Sequence, residues 1–314
     1  MGERLGNHAP LGLLLQAIVA DCGGCPQPFL RVTRFEQSAP RVANLIAGDR
    51  QDVVGRIGRV GISSNFWVIV QVLEYLRAFL VFRLGWTALR VVPLISGAFG
   101  LYARDWLVGA GGYRHDTRGE DLEVTLRLHR YGRREERPYR LAFVPEVLCW
   151  TDVPDGYRSL RRQRATWQRS LVECLSMNRG LLREGGVAGV LLFPFSVVFE
   201  ALAPVVELAG YLYAVLAFVL GVLSFEALFS LLVLVLGVGM LLGALALLLE
   251  VVTSDRFDGT GALLKLFAVA LLENLGYRQL HAVWRCTGLV KWMLHPGTTL
   301  QTDLARTRML ERTD

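Results

Sequence analysis

The stretch Arg118–Arg133, RGEDLEVTLRLHRYGR, holds two adjacent acids, Glu120 and Asp121, directly after a glycine. A general base must be an ionised carboxylate within about 3 Å of the proton it takes. A loop-to-helix junction presents a side chain in that way, and Gly119 followed by a periodic run reads as such a junction. The plain alternative is structural. Carboxylates in the first turn of a helix are favoured by its dipole and by its unpaired N–H groups. Glu123 and Arg127, four apart, add ordinary helix support. Taken alone, the stretch favours the structural role.

Its surroundings shift the balance. Further along comes LRRQRATWQRSL, Leu160–Leu171, dense in arginine and centred on Trp167. Planar cationic forks suit a phosphate-bearing leaving group. The flat apolar face of Trp167 or Trp150 suits a sugar ring. Upstream, Ser96-Gly97-Ala98-Phe99-Gly100 has little side-chain bulk except Phe99, so another molecule can approach its backbone. Tight packing between strands is the bland reading of those glycines. Acid, arginines and tryptophan close to apolar segments form a coherent set for glycosyl transfer from a nucleotide sugar.

Several elements must position these groups. Arg59–Trp86 reads as a turn and then a long amphipathic helix bearing Trp67, Tyr75, Phe79 and Trp86 beside Arg77 and Arg83. That mixture fits a helix resting on a membrane surface as well as one packed on the domain's own core. Arg90–Tyr113 reads as a strand, a small-residue turn, a short strand and a short helix. Tyr139–Pro145 alternates like a strand, and Gly156–Glu173 reads as a helix with Leu160, Trp167 and Leu171 on its apolar positions. Leu11–Ala20 has the oiliness of a signal-peptide core without the basic flank, which favours a buried or amphipathic helix. The rest of residues 1–50 shows no sustained periodicity.

The chain of 314 residues is 53% hydrophobic, but unevenly so. Leu208–Phe225 and Ala227–Leu249 are uncharged and, at about 1.5 Å per residue, reach across most or all of a ~30 Å hydrocarbon layer. Val187–Val206, interrupted by Pro194, Glu200 and Pro204, and Ala262–Tyr277, with Lys265 and Glu273, are two further candidates. Intramembrane acids such as Glu200, Glu207 and Glu273 belong in a bundle interior, along a polar path or at span ends. The net charge is +6, and Arg158, Arg161, Arg162, Arg164, Arg169, Arg179 and Arg183 crowd beside the first apolar segment. That is the positive-inside pattern rather than a nucleic-acid surface, so the expected partner is membrane lipid, with no nucleic acid. The basic tail with Lys291, Arg306, Arg308 and Arg312 would lie on the same side, which requires an even number of spans, four being favoured over two. The expected divisions are 1–50 unassigned, 51–185 the soluble α/β domain with interface helices, 186–290 a transmembrane region and 291–314 a cytoplasmic tail. Cys149, Cys174 and Cys286 are isolated, as in a reducing compartment. The lone Cys22–Cys25 pair, with no second pair and no nearby histidine, is weak support for metal or redox chemistry.

ISGAFGLYARD, GGYRHDTRGED and RRQRATW, in that order and followed by apolar segments, resemble the C-terminal half of a membrane-bound family 2 glycosyltransferase of the processive-synthase type. PVVELAGY and LLENLGYRQLHAVWR resemble its membrane part. The resemblance implies an α/β fold: a partial GT-A-like (Rossmann-related) domain followed by a helical transmembrane bundle in the inner membrane, its soluble half cytoplasmic. It implies that Asp121 deprotonates an acceptor hydroxyl beside Glu120, that Ser96, Gly97 and Phe99 line the acceptor side, and that Gln163 and Trp167 hold the acceptor sugar. It also implies a nucleotide-sugar donor and Mg²⁺ or Mn²⁺. Two departures stand out. The family's motif arginine is replaced by Thr166, leaving Arg162 or Arg164 to meet phosphate. No Asp-x-Asp metal motif occurs anywhere in the chain, and Asp255–Asp258 has the wrong spacing. The expectation is therefore a chain truncated at its donor-binding half and weakly active or inactive alone, with a separate chain supplying that half or, alternatively, a non-catalytic scaffold.

Overall fold

The computed structural model describes residues 11–14, 16–17, 64–97, 100–136, 139–143, 147–151, 153–184, 186–253 and 259–295. The Cys22–Cys25 pair and the basic tail lie outside them.

Strand pairing among the described residues is confined to two pairs. β1 (Leu11–Leu14) runs antiparallel to β4 (Val147–Thr151), and β2 (Gln16–Ala17) runs parallel to β3 (Gly100–Leu101). Leu11–Ala17 therefore supplies strands, not the expected helix, because the later strands offer its backbone a ladder. Two other expected strands do not form. Around residues 91–95 the extended chain bonds to helix side chains instead of to a neighbouring strand. Thr125 Oγ1 accepts the Ile95 N–H at 3.2 Å, and His129 Nε2 meets the Val92 carbonyl at 3.0 Å. At 139–143 the Phe143 N–H is taken by Thr87 Oγ1 at 3.0 Å while Leu141 and Phe143 are buried. The strand in this region begins only at Val147.

Helices carry the rest. α1 (Phe66–Leu76) starts at Asn65, whose side-chain oxygen accepts the Trp67 N–H at 2.9 Å. It continues through wider, π-type turns over Arg77–Arg83 and a last helical stretch, Leu84–Ala88. Val68, Ile69, Val70, Val72, Leu73 and Leu76 are all buried, as is Gln71, so most of α1 is enclosed by the fold. α2 (Arg104–Gly109) and α3 (Glu120–Arg134) follow, then α4 (Tyr157–Met177) and the short α5 (Leu181–Glu184). Wide helical turns over Ala188–Ala201 lead into α6 (Ala203–Val219), α7 (Phe225–Thr253), α8 (Gly259–Leu272) and α9 (Tyr277–Leu294).

One core joins the two halves of the sequence. The α1 face packs with Phe143, Leu160 of α4, Leu247 of α7, Leu266, Val269 and Ala270 of α8, and Tyr277 and Trp284 of α9. α4 and α9 approach so closely that a Cβ on Gly288 would lie about one bond too near the Ala165 backbone, 3.1 Å from its Cα.

α7 is long and apolar enough to cross a membrane, and only 22% of its apolar window is buried. A soluble core helix would be enclosed, whereas Leu234, Val238, Leu241 and Leu248 stand exposed and suit lipid. Ala188–Ala201 and α6 together pass the same test but are bent by 41°. The bend has a cause. Pro204 has no N–H for the carbonyl of Glu200, and that carbonyl is instead met by Arg285 of α9 and by Gln168 Nε2 of α4, the latter at 3.3 Å. α8, at 14 residues, is only about 21 Å long and stops short of a full crossing. Of the four apolar segments expected, one helix, or two with the bent pair, is therefore long enough among the described residues. The chain then turns through Gly276, whose φ of +104° is a conformation other residues rarely adopt. Just before that turn, Glu273 is buried in a two-pronged ion pair with Arg77 of the α1 extension.

Candidate active site

Asp121 stands in the first turn of α3, and one carboxylate oxygen accepts the backbone N–H of Gly97 at 2.9 Å. A Cβ on Gly97 would sit 3.2 Å from that oxygen, so the small residue admits the carboxylate. Thr125, one turn on, ties the Asp121 carbonyl at 2.7 Å while its hydroxyl also receives the Ile95 N–H. The small-residue turn and the acid pair thus face each other, with Gly97 exposed, Asp121 half-buried and Glu120 exposed. Ser96 is half-buried in the same turn. Phe99 and the Trp150 side chain lie outside the described residues.

Gly119 fixes where this junction sits. A Cβ there would fall 2.9 Å from Cys174 Sγ and 3.1 Å from Ser170 Cβ, and Cys174 donates to the Gly119 carbonyl at 3.3 Å. Burial pushes the Cys174 thiol up to about 12, so it serves packing rather than reactivity. The register of α4 then matters. Gln163, Trp167, Ser170 and Cys174 follow the spacing that lines one helix face. Trp167 lies one residue short of a turn, about 4.5 Å along the axis, from the Ser170 seat of Gly119. The helix that opens with the acid pair is therefore seated, through Gly119, on the Ser170–Cys174 part of α4, and further along α4 Trp167 is 47% exposed and Gln163 half-buried.

The two arginines part company. Arg162 is exposed, on a different face of α4 from Trp167. Arg164, also expected to meet phosphate, is instead buried and ion-paired with Glu74 of α1, which corrects that expectation. Two residues apart on a helix means nearly opposite faces, and position 164 shares the inward face with Leu160. Thr166, which replaces the motif arginine, turns its hydroxyl back to the Arg162 carbonyl at 2.9 Å.

Three further residues lie near Asp121 without any spacing in the sequence that marks them. Arg83, from the α1 extension, is half-buried, with its Nη1 enclosed. Desolvation pulls its guanidinium below the ordinary arginine range, while the charges of Asp121 and Glu200 oppose that shift. Tyr102 and Tyr113 stack edge to face at 5.8 Å, and both phenols are pushed up, first by burial and then by neighbours that include Asp121. Their only signal was aromatic character flanking the glycine-rich stretches. Among the described residues no group of three or more His, Cys, Asp or Glu could hold a metal ion. No step below is assigned to a divalent ion.

The chain can be compared with known proteins on this footing. Residues 41–270 match glycosyl transferase family group 2, and the chain belongs to that family. It is 30% identical over 145 residues to a poly-beta-1,6-N-acetyl-D-glucosamine synthase of Staphylococcus aureus (strain COL), covering 46% of this chain and 34% of that one. A synthase of the same name from Staphylococcus epidermidis is 27% identical over 117 residues, 37% of this chain and 27% of its own. The chain thus spans about a third of the length of the curated relatives it matches. No solved structure matches it.

Proposed function

We propose that this chain acts at the cytoplasmic face of a membrane as an inverting glycosyltransferase, joining a sugar from a nucleotide-sugar donor to a saccharide acceptor. Asp121 takes the proton of an acceptor hydroxyl. The freed oxygen forms its bond to the anomeric carbon from the face opposite the leaving group, and the bond to the nucleoside diphosphate breaks. Glu120, the Ser96–Gly97 turn, Gln163 and Trp167 line the acceptor side. Arg162 is an exposed cation on the same helix, available to a phosphate. The observation that carries the reading is the Gly97 N–H holding the Asp121 carboxylate, with Gly119 seated one turn from Trp167. The relatives' printed names make β-1,6-linked N-acetylglucosamine the first acceptor to try. α7 and the bent pair as two crossings would keep both flanks of the membrane region on one side.

A non-catalytic scaffold is the second reading, favoured by Thr166 in place of a cation and by the engagement of Arg164 with Glu74. A donor-binding half resembling the family's front would then come from another chain or be lacking. Titration of the purified full chain with UDP-N-acetylglucosamine and Mg²⁺ or Mn²⁺, with and without a β-1,6-N-acetylglucosamine pentasaccharide, separates the two. Saturable donor binding and turnover lost in Asp121→Asn support the enzyme. No binding at millimolar donor supports the scaffold, and turnover that survives Asp121→Asn removes the assigned base.

A further inference from the structure

Arg164 touches both side chains assigned to the acceptor. Its Nη1 donates to Gln163 Oε1 at 2.9 Å, and its Cζ lies 4.4 Å from the centre of the Trp167 ring. The guanidinium is 3% exposed, and its other prong is paired with Glu74. A buried cation without a counter-charge is unstable in place, so Glu74 is what lets Arg164 remain under the indole. Glu74 is itself fixed from a third helix. Its second oxygen accepts the Tyr277 hydroxyl at 2.9 Å and lies 3.7 Å from His281 Nε2, both on α9.

We infer that Glu74, acting through Arg164, is a positioning residue for the Gln163–Trp167 platform, an assignment that rests on the acceptor-site reading of those two side chains. The geometry has a chemical consequence. With Oε1 occupied by Arg164, the Gln163 amide is oriented so that its NH₂ is the group left to meet a ligand. The platform then offers an N–H donor beside an indole face, which fits hydroxyl or carbonyl oxygens on a sugar whose C–H face stacks on Trp167. Losing the Glu74 charge releases Arg164, and with it the underside of the indole and the amide orientation.

The test uses the full chain in detergent micelles, labelled with 5-fluorotryptophan, and the β-1,6-N-acetylglucosamine pentasaccharide as probe. The Trp167 resonance is identified by its loss in Trp167→Phe. Glu74→Gln is expected to shift that resonance and weaken pentasaccharide binding about fivefold, the scale of one partly desolvated cation–π contact. Arg164→Lys keeps the charge but not the planar fork, and is expected to do the same if Glu74→Gln folds poorly. Arg130→Met, which breaks the Arg130–Glu184 ion pair between α3 and α5, is expected to leave the resonance in place. In the Trp167→Ala background, Glu74→Gln is expected to add little, because its effect runs through the platform. An unmoved Trp167 resonance in Glu74→Gln and Arg164→Lys, or fully additive losses, overturns the positioning role. Binding unaffected by Trp167→Ala, or absent from the unmodified chain, sinks the acceptor-site reading instead, and the fluorine shift then decides the positioning role by itself.

Discussion

The carboxylate of Asp121 is held by the backbone N–H of Gly97 at 2.9 Å, across 24 residues of sequence. A hydrogen bond from a rigid turn fixes the acid's direction without a bulky partner in front of it, which suits a base that must meet a substrate proton. The same closeness makes the site sensitive to one methyl group. A Cβ at position 97 would lie 3.2 Å from the Asp121 oxygen and 3.4 Å from its Cβ, tighter than comfortable contact. Gly97→Ala is expected to displace the carboxylate by a few tenths of an ångström and to lower turnover about tenfold to a hundredfold. The helical circular dichroism should stay unchanged. A rate equal to that of the unmodified chain would show that the acid at this junction is not a reacting group.

The ion pair between Arg77 and Glu273 joins the α1 extension to the end of α8, with Glu273 only 2% exposed. Removing one partner leaves the other charge buried. Arg77→Met is expected to cost roughly 3–5 kcal/mol, and the double change Arg77→Met with Glu273→Met considerably less, since both desolvation costs vanish together. Thermal unfolding of the unmodified chain and of the two variants in one detergent checks this. Equal destabilisation by the single and the double change would mean that the pair is solvated in the membrane-bound protein.

At the bend before α6, the Glu200 carbonyl lacks an intrahelical partner because Pro204 has no N–H, and Arg285 and Gln168 take its place. Arg285→Met is expected to destabilise the chain by about 1–3 kcal/mol, the cost of a buried acceptor left short of a donor. Pro204→Ala restores a helical donor, so the Arg285 change should cost less in that background. The coupling is read from a double-mutant cycle of unfolding midpoints. Independence of the two changes would mean that the bend is set elsewhere. Because Gln168 directly follows Trp167, this contact also links the bent apolar segment to the helix proposed to hold sugar.

How far the sequence reveals all this depends on whether a feature is local. The α3 helix was legible from Gly119, the first-turn acids and the Glu123–Arg127 pair, and α4 from its apolar spacing, each within a few residues of the observed ends. α7 was legible because nothing but composition is needed to mark it. The failures come where tertiary partners override local pattern. Residues 91–95 read as a strand from their apolar run, yet Thr125 and His129 answer their backbone from a helix. Arg164 looked like one more exposed arginine in a basic run. Its partner Glu74 lies 90 residues away, and no spacing rule reaches that far. Ala262–Tyr277 read as one span, but Glu273 needs Arg77 and Gly276 turns the chain, so the helix ends at Leu272.

His129 offers a pH signature for the packing around α3. It is buried on α3, its Nε2 at 3.0 Å from the Val92 carbonyl and its Nδ1 at 3.1 Å from the Tyr139 hydroxyl. A neutral ring satisfies both contacts, with Nε2–H donating to the carbonyl and Nδ1 accepting from the phenol. A second proton would break the latter arrangement. Burial, partly offset by the Val92 carbonyl, lowers the imidazole pKa from 6.5 to about 4. Above pH 6.5 the ring is neutral in the folded and unfolded chains, and its contribution is complete. As pH falls from 6.5 toward 4, the unfolded chain takes up a proton that the folded chain refuses. Stability therefore declines across that window, by at most about 3 kcal/mol from this residue, and levels off below it. His281 is lowered to about 4 as well, first by burial, and adds to the decline in the same direction. Unfolding midpoints measured from pH 7.5 to 4 should fall less steeply in His129→Gln than in the unmodified chain, whatever the offset at neutral pH. Parallel curves for the two proteins would mean that His129 takes its proton in the folded state as readily as in the unfolded one.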